Sequence, residues 1–198
     1  MIDFRDVDQA KPYKLFKELY KIAVLENQKN VEAISISTFN SEKSEVDSRF
    51  VNIKLLKGAE FIFFSNYKSP KSEAFKLHPQ ITALFYWSAI DVQIRIKAKI
   101  KKTPASFNDE YFKKRSKHKN ALAISSNQSQ FVQSYEDVVN KYNEVLETEN
   151  LLKCPNFWGG FAFTPYYFEF WKGHESRINK RDVYQLNGTN WDHKIIQP

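Results

Sequence analysis

The run Val92–Lys101 constrains the fold more than any other part of the chain. Ile94, Ile96, Ala98 and Ile100 alternate with Gln93, Arg95, Lys97, Lys99 and Lys101. A period of two sends the aliphatic set to one face of a pleated strand and the cationic set to the other. One face must enter a core, and the other must meet water or a charged ligand. Strands of this kind belong in antiparallel sheets with one solvated side.

Neighbouring segments carry the same signal. Ala33–Phe39 alternates Ile34 and Ile36 against Ser35 and Ser37. After a polar, turn-like Ser41–Asp47, strands are expected at Arg49–Leu56 and Phe61–Ser65, joined by a turn at Gly58, and again at Ile81–Trp87. Four more are expected at Gly160–Thr164, Tyr167–Lys172, Arg181–Leu186 and Trp191–Ile196. Asn187-Gly188 is a hairpin signal between the last two.

Helices fall between the strands. Pro12–Leu25 places Leu15, Leu19 and Ile22 on one face, with Pro12 suited to a first turn. Ser69–Leu77 is stopped by His78-Pro79. Asn108–Arg115 has Ser106 or Asn108 as its cap, and Asn120–Ser126 reads as a helical turn. Tyr135–Glu149 aligns Val138, Val139, Tyr142 and Val145. The pattern predicts an α+β fold, an antiparallel barrel or folded sheet with peripheral helices, in one domain over residues 1–198. Residues 1–30 form its N-terminal helical segment.

Several chemistries lack their residues. Cys154 is the only cysteine, so there is no intramolecular disulfide and no multi-cysteine metal site. His78, His118, His174 and His193 show no zinc spacing, and no metal is expected. No phosphate-binding Walker loop, Gly-x-Gly-x-x-Gly or Gly-x-Ser-x-Gly is present. The charged start Met1–Asp6 lacks an apolar signal segment, and no stretch is apolar enough to cross a membrane, so a cytoplasmic protein with no membrane partner is expected. A net charge of +7 favours anionic partners. Much of the lysine excess reads as solvated surface, which leaves phosphorylated small molecules ahead of nucleic acid.

Cations and polar groups recur at expected element ends. Arg49 and Lys54 are five apart, which sends them to opposite faces of a straight strand. Lys68 and Lys71 open a short helix, where free N–H groups also favour phosphate. Tyr111 and Arg115 are four apart and share a helix face. Gln93 opens the alternating strand, and Gln128-Ser129 adds an amide and a hydroxyl. The last quarter brings Phe157-Trp158-Gly159-Gly160-Phe161, Glu169-Phe170-Trp171, Arg177 and Arg181. Aromatics with fixed positive charge suit a flat, anionic ligand. Most of those aromatics read as core or interface residues.

In order and spacing this series resembles the pyridoxamine 5′-phosphate oxidase family, from about Ser48 to the C-terminus. The resemblance implies a split β-barrel of Greek-key type, assembled as a homodimer that binds FMN at the subunit interface. It implies that Arg49, Lys71, Gln128 and Ser129 hold the FMN phosphate and ribityl chain. Phe50, Val51, Asn52, Ile53 and Lys54, with Phe64 and Ser65, would line the flavin, and Gln93, Trp171 and Arg181 would complete its site. Lys54, Tyr111 and Arg115 would bind the phosphate of a small phosphorylated pyridine. Arg177 would lie over the ring near the reacting carbon.

The implied reaction oxidises pyridoxamine or pyridoxine 5′-phosphate to the aldehyde, with O2 as acceptor and H2O2 as product. This chain departs from the family pattern at Pro70, where an arginine is usual, and at Lys119, where a serine helps hold substrate phosphate. Asn179 and Lys180 replace a histidine and an aspartate. Lys68 offers a cation in place of the one missing at Pro70, while Lys119 and Asn179 keep their places in the substrate site. Two other readings follow from the same residues. One is a flavin-binding split barrel with a different substrate. The other is a non-enzymatic binding module, such as a basic nucleic-acid binder on the Arg95–Lys101 stripe.

Overall fold

A computed structural model describes all residues, Met1–Pro198. Ten strands form one sheet with five α-helices outside it. The strands are β1 (Asp3–Arg5), β2 (Ala33–Asn40), β3 (Glu45–Asn52), β4 (Leu55–Lys57), β5 (Glu60–Asn66), β6 (Gln80–Trp87), β7 (Val92–Lys102), β8 (Trp158–Lys172), β9 (Lys180–Asn187) and β10 (Asn190–Ile196). The helices are α1 (Lys11–Leu25), α2 (Pro70–Leu77), α3 (Ala105–Lys113), α4 (Lys117–Ser125) and α5 (Tyr135–Thr148).

Strand order is β1-β4-β5-β8-β7-β6-β2-β3, with the β9–β10 hairpin attached to β8. β6, β7 and β8 are successive antiparallel neighbours, and β5 returns beside β8, which is a Greek key. Only β1 and β4 pair in parallel. The sheet curls without closing, as expected for a split barrel. Its interior is a large cluster of aliphatic and aromatic side chains, among them Phe16, Phe61, Phe85, Trp87, Phe163 and Phe168.

β7 behaves as its alternation demands: Ile94, Ile96 and Ala98 are fully buried, and Arg95 and Lys97 lie on the outer face. α1 buries a different stripe from the aliphatic one predicted. Tyr13, Phe16, Tyr20 and Ala23 face the core, Leu15 and Leu19 flank them, and Ile22 is exposed. Aromatic rings remove more area from water than the aliphatic stripe and so set the helix rotation. α5 likewise buries Val145 but leaves Val138 and Val139 partly exposed.

Two strand boundaries differ in ways that matter for function. The expected strand Arg49–Leu56 is two strands, β3 and β4, with a bend at Ile53-Lys54. There the Ile53 N–H donates to Glu32 O (2.9 Å) and the Lys54 N–H to Ile62 O (2.8 Å). The segments expected as Gly160–Thr164 and Tyr167–Lys172 are one 15-residue strand, β8. Pro165 cannot donate to a ladder, and the chain absorbs it at a bulge where Ala98 faces Pro165 and Lys97 faces Tyr167.

Candidate functional site

A cavity of about 910 Å³ opens where the end of β3, the end of β5, the start of α2, the α3–α4 corner and the loop at residues 128–129 meet. That size lies within the range of sites for large organic ligands, roughly 300–1,000 Å³. Arg49, Phe50, Val51, Asn52 and Lys54 reach it because the chain bends at Ile53. The bend resolves the alternation problem: two cations five apart line one space. The Ile53 side chain is fully buried in the core, so only its backbone is available to the cavity.

The inner end is built around Lys71. Its side chain is buried, and its ammonium donates to Ser65 Oγ and Ser69 Oγ (both 3.1 Å) with no carboxylate in contact. Ser65 Oγ donates in turn to Gln128 Oε1 (3.1 Å). Burial, and then the nearby Arg49 charge, pull the Lys71 ammonium down to about 8, with Asp47 opposing. Arg49 donates to Thr38 Oγ1 (2.8 Å) and Ile36 O (3.2 Å) and pairs with Asp47. Lys71 is thus a buried cation bonded only to hydroxyls, and the one carboxylate nearby, Asp47, is exposed and paired with Arg49. Ser129, with φ of 67°, lines the same end.

The outer end is aromatic and cationic. Phe64 stacks on Tyr111 (centroids 3.7 Å apart, planes at 10°) and on Trp158 (5.1 Å, 9°). The Arg115 guanidinium lies 4.3 Å from the Trp158 ring and donates to Lys119 O (3.2 Å), while its buried Nη1 has no partner. Burial lowers the Arg115 pKa and raises that of the Tyr111 phenol, which Arg115 partly opposes. Tyr111 therefore stays a neutral donor at ordinary pH. Lys54 sits 3.7 Å from Glu32, and Lys114 and Lys119 add positive charge to the wall.

Other predicted residues lie elsewhere on the chain. Gln93 faces Trp171 across β7–β8, and Trp171 faces Arg181 across β8–β9. Arg177 is exposed in the loop between β8 and β9, with φ of 60°. Asn179 accepts from the His174 N–H (3.1 Å) in the same loop. None of these five lines the cavity. About 40 Å of strand contour separates Trp158 from Trp171 at roughly 3.3 Å per residue. One chain therefore carries two separated clusters. The Lys68 ammonium lies 5.3 Å over the Phe157 ring, and Lys68 does not line this cavity.

Pattern reading missed Asp47, Lys114 and Ser116 in the wall. Ser116 was visible as the N-cap of α4, where it accepts from the Lys119 N–H. The expected caps of α3, Ser106 and Asn108, do not cap it; Pro104 holds that position. Asn108 instead joins α3 to β8. Its Oδ1 accepts from the Gly160 N–H (2.9 Å) and the Thr103 hydroxyl (2.6 Å), and its Nδ2 donates to the Tyr67 hydroxyl (3.0 Å). A Cβ at Gly159 would collide with this amide and with the Tyr67 hydroxyl, which accounts for glycine there. Asn108→Ala strands the buried Gly160 N–H and is expected to cost about 3 kcal/mol. The denaturation midpoint in urea measures it, and an unchanged midpoint would refute the hub role.

The family model described as "Pyridoxine 5′-phosphate oxidase C-terminal dimerisation region" matches residues 158–198, from β8 to the end of the chain. The pyridoxine/pyridoxamine 5′-phosphate oxidase 1 of Hydrogenovibrio crunogenus is 34% identical over 183 residues, covering 92% of this chain and 84% of that protein. The corresponding Legionella pneumophila (strain Paris) protein is 33% identical over 190 residues, covering 94% and 87%. Among solved structures, PhzG from Burkholderia lata, in complex with tetrahydrophenazine-1-carboxylic acid, superposes with a TM-score of 0.90 at 24% identity, covering 96% of this chain and 93% of that one. An FMN-binding, pyridoxamine 5′-phosphate oxidase-related protein from Nostoc punctiforme gives 0.76 at 11% identity, covering 92% and 97%.

Proposed function

The chain belongs to the pyridoxine/pyridoxamine 5′-phosphate oxidase family, and from that premise we propose that it oxidises pyridoxamine 5′-phosphate and pyridoxine 5′-phosphate to pyridoxal 5′-phosphate. As a member it is an FMN-dependent oxidoreductase. The observation that carries the substrate reading is one cavity lined by six cations, which we read as two groups, Lys71 with Arg49 and Lys54 with Arg115 and Lys119. Two phosphorylated heterocycles need two such groups.

The residues fit the cofactor. Lys71 is a buried cation without a carboxylate partner, and it sits beside Arg49. Lys71 and Arg49 would hold the cofactor's phosphate, and Ser65, Gln128 and Ser129 offer polar groups for a ribityl chain. FMN, when bound, would supply the redox chemistry, two-electron oxidation of the carbon bearing the amine or alcohol with O2 as final acceptor and H2O2 as product. With the amine substrate, water enters and ammonia leaves.

The chain's own groups bind and orient. Arg115 and Tyr111 are packed against Trp158 and Phe64, so their polar ends are held before a phosphate arrives, which reduces the entropy lost on binding. Lys54 adds charge from the bend. Gln93, Trp171 and Arg181 lie too far along β8 to reach the same cavity within one chain. We read them as the contribution of a second copy in a homodimer, with Arg177 and Asn179 brought in on the adjoining loop. The dimerisation-region match over β8–β10 supports this reading.

A second reading keeps the flavin and changes the substrate. Lys119 and Asn179 favour it, because the Asn179 carbonyl is already engaged by the His174 N–H. A visible spectrum separates the two. The FMN-loaded protein is expected to bleach on anaerobic addition of pyridoxamine 5′-phosphate and recover in air. A flavin band that persists selects the second reading, and no band after FMN addition refutes both.

A further inference from the structure

We propose that Glu169 is the positioning residue that aims Arg181 in the flavin site, acting through a carboxylate shared between two arginines. The inference rests on the reading of Arg181 as a flavin-site residue. Glu169 stands on β8 at 2% exposure, on the same strand face as Tyr167 and Trp171. Its Oε1 accepts from Arg181 Nε (2.9 Å) and Nη2 (2.7 Å), a fork that fixes the guanidinium plane. Its Oε2 accepts from the Tyr167 hydroxyl (2.9 Å) and pairs with Arg95. The carboxylate has no capacity left for a ligand.

Arg181 retains capacity. Its Nη1 donates to Gln197 O (2.9 Å), so three of its five N–H groups are engaged and two are free. A guanidinium held at both ends presents those two donors in one orientation beside Trp171, its cross-strand neighbour. One carboxylate also serves two arginines, and the buried Arg95 Nε has no partner. The cluster thus keeps one surplus positive charge on the face that carries Trp171 and Gln93. Burial pushes the Glu169 carboxyl up, but its bonds from Arg181, Arg95 and Tyr167 outweigh this and hold it below the usual carboxylate range.

A structural ion cluster and a positioning residue predict different couplings. FMN dissociation constants are measured by flavin fluorescence quenching for the wild type, Glu169→Gln, Arg181→Ala and the double variant, with light scattering to record the dimer. Glu169→Gln is isosteric and should bind FMN about tenfold more weakly, the scale of one charge-assisted contact. The double variant should bind no more weakly than Arg181→Ala alone, because the first residue acts only through the second. Should Glu169→Gln fail to fold with two uncompensated arginines, Arg95→Met/Glu169→Gln removes one charge of each sign and should still show the weaker binding. Wild-type affinity in either Glu169 variant, or losses that add in the double variant, would overturn the inference alone. Wild-type protein that takes up no FMN would overturn the cofactor reading and the inference together.

Discussion

Lys71→Met is expected to weaken FMN binding about a hundredfold at neutral pH, and Lys71→Met with Arg49→Ala to weaken it about a thousandfold or more. Each charge-assisted contact to a phosphate is worth about 1.5–3 kcal/mol, and about 1.4 kcal/mol is a factor of ten. Lys71 should lie at the high end of that range, because it is buried, bonded only to hydroxyls and packed beside a second cation. Methionine keeps the side-chain volume, so the loss reports charge more than packing. Fluorescence titration measures it; binding within threefold of wild type would show that the inner end does not hold the phosphate.

The same lysine gives the pH dependence a sign. Without ligand its folded pKa is about 8 and its ordinary value is 10.5. A phosphate binds the ammonium form, so FMN affinity should fall as pH rises through about 8, and Lys71→Met should lose that dependence. Stability of the ligand-free fold runs the other way. Between about 8 and 10.5 the unfolded chain holds more protons than the folded one, so this group makes stability rise with pH across that window.

Arg115→Met is expected to raise KM for pyridoxamine 5′-phosphate by about 10- to 100-fold while leaving the FMN dissociation constant unchanged. The unpartnered Nη1 and the stacking on Trp158 mark a guanidinium held ready for an anion at the outer end only. Methionine preserves contact with the indole, so the fold should persist. A matching loss of FMN affinity would show that the two cationic ends are one. An unchanged KM would mean that the substrate's anion docks elsewhere.

Much of this architecture is readable without coordinates. The alternation in Val92–Lys101 places β7, and the Asn-Gly pair places the last hairpin, because both rest on local chemistry. Lys54 and Arg49 are different. Strand periodicity separates them, and only the hydrogen bonds of Ile53 and Lys54 to Glu32 and Ile62 reunite them. Ile62 lies just across the next hairpin, but Glu32 belongs to a separate stretch before β2, so no short window contains both partners of the bend. Asn108 and α1 fail for related reasons. A local rule made Asn108 a cap, and a tertiary network took it. An aliphatic stripe was the obvious buried face of α1, and a ring stripe one step away packed better. Glu169 stood in a recognisable motif, but its four donors come from three strands, so its role was invisible.

The length of β8 has a genetic consequence. Its Trp158 end packs on Phe64 in the cavity wall and its Trp171 end carries the second cluster, and on the homodimer reading the two ends of one chain serve different flavins. In a two-chain assembly, lesions at opposite ends of the strand fall in different places. A Lys71→Met chain paired with an Arg181→Ala chain leaves one compartment with both defects and the other with none. At an FMN concentration that leaves either variant alone unloaded, co-expressing the two alleles should therefore restore up to about half of the wild-type output per mixed pair, whereas two alleles damaged at the same end should restore little.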